Sequence, residues 1–253
     1  MPARSGAARA RDVVILSCEH GGNRVPARYA PLFRGASGVL RSHRGYDLGA
    51  LDLARGLARR LRAPLFAATT TRLLVDLNRS PGNPSVLSRY ARQLPEPERA
   101  LLLRRLYAPP RLRVERAVER AVARGARVVH VAVHSFTPVL RGRRRELELG
   151  LLYDPRRPGE RRFCALWQQA LVARGPGLRV RRNAPYRGSS DGLARALRRR
   201  FEDRDYLGLE IELNQGLLAA GRFPLRLEAW IAGALRGALG AAAQRAPRRG
   251  RSA

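Results

Sequence analysis

The sequence predicts an α/β fold in three layers, in which a mixed sheet is covered by helices on both faces. Short apolar runs rich in Val, Leu and Ile alternate with longer segments whose apolar residues recur at helical spacing. This alternation is typical of parallel or mixed sheets buried on both sides. The 253 residues suit one domain, which we place at residues 12–245. The Arg- and Ala-rich segments 1–11 and 246–253 are predicted to be disordered tails.

The predicted strands are short apolar runs, and several of them end in polar residues. The first covers about 13–18, and the strand at 127–133 leads directly into a histidine. Further strands are predicted at 64–68, 73–77, 146–153, 178–181 and 206–213. In the last of these, acidic and apolar residues alternate. Glu210 and Glu212 therefore share one face of that strand, and the apolar residues occupy the other.

The predicted helices carry apolar residues at intervals of three and four positions. They are expected at 47–62, 96–125, 160–173, 191–201 and 225–243. The second is expected to be interrupted at Pro109-Pro110, because proline removes a backbone donor. Residues 79–95 are predicted to form a loop around Pro81-Gly82-Asn83-Pro84, and 183–190 a second loop.

Several classes of protein are disfavoured by composition. The sequence contains no run of about 18 or more apolar residues, so we expect no membrane-spanning helix. Residues 1–6 lack the apolar core of a signal peptide, and a cytoplasmic location is expected. Cys18 and Cys164 give no disulfide framework, and both are predicted to be buried thiols.

The net charge of +30 raises the possibility of nucleic-acid binding. All 50 basic residues are Arg, however, and they are spread along the whole chain. A surface that binds phosphate normally combines Arg with Lys, so the total absence of Lys indicates G+C-rich coding instead. We therefore expect no specific nucleic-acid partner, although salt-sensitive association with polyanions follows from the charge.

Two histidines follow two predicted strands. His20 lies in Glu19-His20-Gly21-Gly22 after the strand at 13–18, and His134 follows the strand at 127–133. Binding groups in α/β folds collect beyond the carboxyl ends of strands, and neutral imidazole is a common zinc ligand. A shared ion requires the two imidazoles to lie within about 4 Å and excludes a separation beyond roughly 8 Å. A structural role for both histidines is the alternative interpretation.

Other polar residues occupy comparable positions. Asp76-Leu77-Asn78-Arg79 ends the predicted strand at 73–77, and Glu212 ends the one at 206–213. Carboxylates in such a strand must face solvent or a polar site. Asp47 begins the first predicted helix, where it is either a site residue or an N-cap.

These motifs resemble the N-formylglutamate amidohydrolase family across most of the chain. More distantly, their order is similar to that of zinc carboxypeptidases and aspartoacylases. The segments that carry the resemblance are Glu19-His20-Gly21-Gly22, Asp47-x-x-x-x-Asp52, Asp76-Leu77-Asn78-Arg79, Val133-His134-Ser135-Phe136 and Glu212-Leu213-Asn214-Gln215-Gly216-Leu217-Leu218.

The resemblance implies a metal-dependent amide hydrolase on a phosphorylase/hydrolase-like α/β fold, with Zn²⁺ or another divalent ion held by His20 and His134. The carboxypeptidase pattern has Glu three residues after the first histidine, where this chain has Asn23. The third ligand must therefore be Asp47 or Glu19. We favour Asp47, because Glu19 adjoins His20 and adjacent side chains at a strand end point in opposite directions.

The resemblance also implies roles in catalysis and substrate binding. Zinc lowers the pKa of bound water to about 7, and Glu212 would accept the water proton, with Glu210 as the other candidate. Asn78 and Arg79 would bind a substrate carboxylate, and Arg187 is a second anion-binding candidate. Both arginines could instead be solvated in so Arg-rich a chain.

The expected substrate is a small N-acyl amino acid such as N-formylglutamate. Another acylated acidic substrate is a close alternative, and a non-enzymatic polyanion-binding protein is the alternative from a different class. The sequence leaves the oligomeric state open.

Overall fold

A six-stranded mixed sheet forms the centre of the fold in the computed structural model, which describes residues 10–244. The strands of this sheet are β1 (Ala10–Cys18), β2 (Leu65–Ala67), β3 (Ala126–Phe136), β6 (Leu149–Leu152), β7 (Val180–Arg182) and β8 (Tyr206–Asn214). A separate two-stranded hairpin of β4 (Val139–Leu140) and β5 (Arg143–Arg144) follows β3. The predicted α/β class and mixed sheet are therefore confirmed.

The strand order is β2-β1-β3-β8-β6-β7. β2, β1, β3 and β8 run parallel to one another, and β6 and β7 run in the opposite direction. The carboxyl ends of β1, β3 and β8 therefore meet at one edge of the sheet. The residues that follow these three parallel strands therefore lie close together at this edge. Ligands of α/β folds bind at the carboxyl ends of the strands.

Residues 10–244 include seven α-helices, most of which pack around the sheet. They are α1 (Ser37–Arg41), α2 (Ala50–Leu61), α3 (Glu96–Leu102), α4 (Ala108–Ala123), α5 (Pro158–Arg174), α6 (Leu193–Arg198) and α7 (Leu225–Gln244). Short 3₁₀ helices occur at Ala27–Phe33, Ala91–Gln93 and Gln215–Leu217. Among the described residues, none of the helices combines the length and apolarity needed to cross a bilayer.

Helices cover both faces of the sheet. Leu209, Ile211 and Leu213 of β8 are fully buried in the larger core, which α2, α5 and α7 complete. Val128 and Tyr206 belong to a second core on the opposite face, with apolar residues of α4 and α6. The predicted division of β8 into an apolar face and an acidic face is thus confirmed.

Segment 73–77 is a turn, so the predicted strand there is wrong. The backbone N–H of Asp76 bonds to the carbonyl of Val86, 2.8 Å away. Leu73 and Leu74 are buried in a third apolar cluster that includes Phe33 and Tyr107. Burial of the leucines therefore does not need sheet pairing, and the apolar run alone could not distinguish the two arrangements.

The helix at 96–125 is not interrupted at the prolines. A single π-helical turn, Leu103–Tyr107, joins α3 to α4, and Pro109 and Pro110 lie in the first turn of α4. The hydrogen-bonding pattern changes at the π turn, so the two prolines occupy first-turn positions of α4. At such positions proline does not remove a hydrogen bond of the helix interior. The α1 helix and the β4–β5 hairpin were not predicted.

The predicted tails fall almost entirely outside the described residues. Ala10 begins β1, inside the segment predicted as an N-terminal tail, whereas residues 1–9 and 246–253 lie outside the described range. Cys18 and Cys164 are buried free thiols, as predicted.

Candidate active site

His20 and His134 lie side by side at the carboxyl edge of the sheet. His20 follows β1, and His134 lies within β3 and directly opposite Glu212 of β8. Both imidazoles are buried, and their ring centroids are 5.2 Å apart. This centroid separation is longer than the about 4 Å expected for a shared ion and below the roughly 8 Å beyond which one ion cannot serve both rings.

Asp47 joins the two histidines. Its Oδ2 lies 2.8 Å from Nδ1 of His134 and 3.5 Å from Nδ1 of His20. One potential ligand atom from each of these three residues lies within 4.8 Å of the others. The N-cap of α2 is Gly49, so the alternative role of Asp47 as an N-cap is wrong. Its backbone N–H instead bonds to the carbonyl of His20, 2.9 Å away.

A carboxylate contacts the far side of each imidazole. Nε2 of His20 hydrogen-bonds with Oδ1 of Asp76 at 2.7 Å, and Nε2 of His134 lies 3.2 Å from Oε2 of Glu19. This arrangement leaves both Nδ1 atoms turned toward Asp47. Carboxylates behind metal-binding histidines fix the ring orientation and raise ligand basicity.

The charges and free polar atoms of this cluster suit a cation. Asp47, Asp76 and Glu19 supply three carboxylates, and Arg72 supplies one guanidinium, which bonds to Asp76 at 2.8 Å and contacts Asp47 at 3.4 Å. With neutral imidazoles, three carboxylates and one guanidinium carry a formal charge of −2. Nδ1 of His20 accepts or donates no hydrogen bond among the described residues, although it is buried. The donor set of two imidazoles and a carboxylate fits Zn²⁺.

The ionisation of these groups follows from their contacts. Burial alone would raise the pKa of Asp47 and of Asp76, but the adjacent histidines, and Arg72 for Asp76, hold each pKa well below its usual range. Glu19 behaves similarly, and His134 lowers its pKa to about 2. The same contacts raise the pKa of His134 against the effect of its burial. A metal ion would therefore displace a proton on binding.

Glu212 has the opposite environment. Burial, together with the nearby charges of Asp47 and Glu210, raises its pKa to about 8 against the effect of His134. Its Oε2 is buried without a hydrogen-bond partner among the described residues. Burial also raises the pKa of Glu210, which lines the same cavity. A carboxyl group with a pKa near neutrality can both accept and donate a proton.

One cavity of about 270 Å³ is lined by both histidines and by Asp47, Arg72, Glu210 and Glu212. The predicted substrate-binding residues Asn78, Arg79 and Arg187 also line it. Nδ2 of Asn78 lies 3.5 Å from Nε2 of His134, and Oδ1 of Asn78 accepts from the backbone of Leu193 at 2.8 Å. The cavity therefore places cationic side chains beside the histidine cluster.

The predicted site residues are brought together at one place, with Glu19 behind His134 instead of facing the cavity. Asn23, which replaces the carboxypeptidase glutamate, bonds to the carbonyl of Leu40 at 3.1 Å. Gly22 allows close approach to backbone, because a Cβ there would lie 2.7 Å from the carbonyl oxygen of Thr69.

Sequence reasoning missed four further residues of the site. Asp76 lies in the Asp76-Leu77-Asn78-Arg79 motif, but no function was predicted for it. The other three, Arg72, His43 and Asp191, line the cavity. Arg72 has no distinguishing signal in a chain with 50 basic residues. Asp191 begins the segment predicted as a short helix, and its contacts depend on loops that are distant in sequence.

Comparison with solved structures finds chains that are similar to this one. A gene product of Agrobacterium tumefaciens is 35% identical and superposes with a TM-score of 0.75, covering 91% of this chain and 90% of that one. The N-formylglutamate amidohydrolase of Ralstonia eutropha JMP134 is 21% identical, with a TM-score of 0.65 and 95% of each chain covered. A metallo-carboxypeptidase of Burkholderia cenocepacia is 13% identical, with a TM-score of 0.41, and covers 96% of this chain and 59% of its own.

No curated protein matches the sequence. The sequence profile of N-formylglutamate amidohydrolases matches residues 13–219, which include the histidine cluster, the Asn78-Arg79 pair and Glu212. This match spans well over half of the chain, and the chain therefore belongs to the N-formylglutamate amidohydrolase family.

Proposed function

We propose that the protein is a metal-dependent hydrolase that cleaves the amide bond of an N-acyl amino acid such as N-formylglutamate. The convergence of His20, His134 and Asp47 at the carboxyl edge of three parallel strands carries this proposal. Family membership supports the amide-hydrolysing activity. His20 and His134 would hold the ion through their Nδ1 atoms and Asp47 through Oδ2, with Asp76 and Glu19 orienting the two imidazoles.

A divalent ion, which we propose to be Zn²⁺, would supply Lewis acidity that makes water nucleophilic at neutral pH and polarises the amide carbonyl. Glu212 faces the same cavity and has a pKa near neutrality. Its carboxylate would accept the proton of the attacking water and donate it to the leaving nitrogen. Burial keeps the pKa of Glu212 high, and the charge of Glu210 on the same strand face adds to this effect.

The substrate class follows from the charges around the cavity. Arg79 and Arg187 both line it, and N-formylglutamate carries two carboxylates. Arginine binds carboxylates through two parallel hydrogen bonds, which fixes the substrate as well as attracting it. The cavity volume of about 270 Å³ suits a small molecule. An amidase that acts on another acylated acidic substrate would use the same groups.

A polyanion-binding protein without enzymatic activity is not favoured by this geometry. Its binding surface would have to avoid carboxylates. Four carboxylates, those of Asp47, Asp191, Glu210 and Glu212, line the cavity, and two more, those of Glu19 and Asp76, contact its histidines. Buried carboxylates around two histidines are costly without a cation.

The test combines metal analysis with a substrate panel. The purified protein is expected to contain about one equivalent of a divalent ion per chain and to hydrolyse N-formylglutamate, and chelation should abolish turnover until the ion is restored. A panel of N-acyl amino acids with and without a side-chain carboxylate would define the substrate. Only traces of metal, together with turnover that survives chelation, would contradict the proposal.

A further inference from the structure

Asp191 links two loops at the cavity wall. Its Oδ2 accepts a hydrogen bond from the backbone N–H of Ser80 at 2.9 Å and another from Nδ2 of Asn83 at 2.7 Å. Its backbone carbonyl accepts from Nη1 of Arg79 at 3.1 Å. These three hydrogen bonds join the segment after Asn78 to the loop that carries Arg187.

The same segment is held from its other side. Nη1 of Arg79 also donates to the carbonyl of Asn78 at 2.8 Å, and the hydroxyl of Tyr107 donates to the carbonyl of Arg79 at 2.7 Å. Nη1 of Arg111, which is buried, donates to the carbonyl of Leu77 at 2.7 Å. One nitrogen of the Arg79 guanidinium is therefore fixed by carbonyls, and the rest of the group remains available to the cavity that Arg79 lines.

Asp191 is ionised at neutral pH. Partial burial alone would raise its pKa, but the hydrogen bonds from Ser80 and Asn83 and the charge of Arg79 lower the pKa overall. A carboxylate beside an anion-binding arginine weakens the attraction of that arginine for substrate. The hydrogen bonds from Ser80 and Asn83 to Asp191 offset this unfavourable charge, because they hold the segment that carries Arg79.

We propose that Asp191 is a positioning residue, which holds Arg79 in the orientation that binds a substrate carboxylate. The inference rests on the proposed function and adds a residue to it. Asp191 would act through hydrogen bonds to Ser80 and Asn83 and not through its charge. Preorganised binding groups bind more tightly because less conformational freedom is lost when the ligand arrives.

Two substitutions separate the hydrogen bonds from the charge. Asp191→Asn removes the charge and keeps an oxygen that can accept from both donors, whereas Asp191→Ala removes both. Asp203→Ala is a matched control, since Asp203 accepts a backbone N–H from Gly159 at 2.6 Å, on α5 and outside the cavity lining. Asn83→Ala removes one of the two donors and serves if Asp191→Ala does not fold.

The direct readout is calorimetric binding of glutarate to the metal-loaded protein, because glutarate carries two carboxylates and no amide. Asp191→Ala is expected to weaken binding about tenfold or more. Asn83→Ala should weaken it less, and Asp191→Asn and Asp203→Ala should bind as the wild type does. With N-formylglutamate, Asp191→Ala should raise KM and leave kcat within about threefold, since ground-state and transition-state binding are lost equally.

Wild-type affinity for glutarate in Asp191→Ala, equal weakening by Asp191→Asn, or no binding of glutarate by the wild type would each overturn the inference. Glutarate binding without hydrolysis of any N-acyl amino acid would refute the proposed function instead. The binding comparison among the variants would still decide the role of Asp191.

Discussion

Nε2 of His20 lies 2.7 Å from Oδ1 of Asp76, on the side of the ring opposite the atom that faces Asp47. Asp76 in turn accepts the backbone N–H of Asn78 at 2.9 Å and pairs with Arg72 at 2.8 Å. One carboxylate thus connects the candidate metal ligand to the start of the candidate substrate-binding segment.

We expect Asp76→Asn to weaken zinc affinity about 10- to 100-fold, because the orientation and basicity of the His20 ring depend on this carboxylate. Competition with a chromophoric chelator measures the affinity directly. Asp12→Asn is the matched control, since Asp12 pairs with Arg127 on the sheet away from the cavity and should leave zinc affinity unchanged. Unaltered affinity in Asp76→Asn would show that His20 does not depend on Asp76.

Asp47 and Glu19 are expected to respond differently to substitution. Asp47→Ala removes a proposed ligand and should leave the purified protein with less than about a tenth of an equivalent of metal. Glu19→Gln removes only the carboxylate behind His134, so metal should still bind, about 10- to 100-fold more weakly. Metal content after dialysis against a fixed free-zinc concentration compares the two variants. The reverse order would make Glu19 the third ligand.

That His20, His134 and Glu212 lie together could be predicted from the sequence, because strand periodicity and strand ends are local signals. The role of Asp76 could not be inferred in this way. Its segment has the apolar content of a strand, but a tertiary hydrogen bond to Val86 fixes it as a turn. Asp191 contacts Ser80 across 111 positions of sequence, and no local pattern encodes such a distant contact.

Glu212→Gln should retain metal and lose about 10² or more in kcat, because the amide cannot accept the proton of the attacking water. Glu210→Gln is the matched variant on the same strand face and should lower kcat less than Glu212→Gln does. Steady-state kinetics with metal content measured on the same samples separates catalysis from metal loss. Wild-type turnover in Glu212→Gln would transfer the role of the base to Glu210 or to another group.

The metal-free protein should show a pH-dependent stability that originates in Glu212. Burial raises the pKa of this carboxyl from 4.5 to about 8, so the folded protein retains a proton that the unfolded chain releases. A carboxyl with a raised pKa stabilises the fold below its unfolded pKa, and this contribution is lost as the pH rises through the folded pKa. The Tm advantage of Glu212→Gln over the wild type should therefore grow from about pH 5 to about pH 8 and then level off. Thermal unfolding of both chelator-treated proteins across this pH range measures the Tm difference. A Tm difference that does not change with pH would contradict the raised pKa of Glu212.

Glu160 and Arg198 form a buried ion pair beneath the loop that carries Arg187. Oε1 of Glu160 lies 2.9 Å from Nε of Arg198, and Glu160 also accepts backbone N–H groups from Asp154 and Gly208. Nη1 of Arg198 donates to the carbonyl of Gly188, adjacent to Arg187.

Glu160→Ala should destabilise the fold by about 3–5 kcal/mol, because it leaves the guanidinium buried without a counter-ion. Replacing both partners, as Glu160→Met with Arg198→Leu, should recover part of this loss, because the Arg198 charge is removed as well. Arg157, which lies 3.2 Å from Glu160, retains Asp203 at 3.5 Å. Glu96→Ala removes an exposed partner of Arg99 and should cost less than about 1 kcal/mol. Denaturant unfolding of the metal-loaded proteins measures the loss of unfolding free energy for Glu160→Ala, for the double variant and for Glu96→Ala. Equal costs for Glu160→Ala and Glu96→Ala would mean that the pair is solvated and does not support the Arg187 loop.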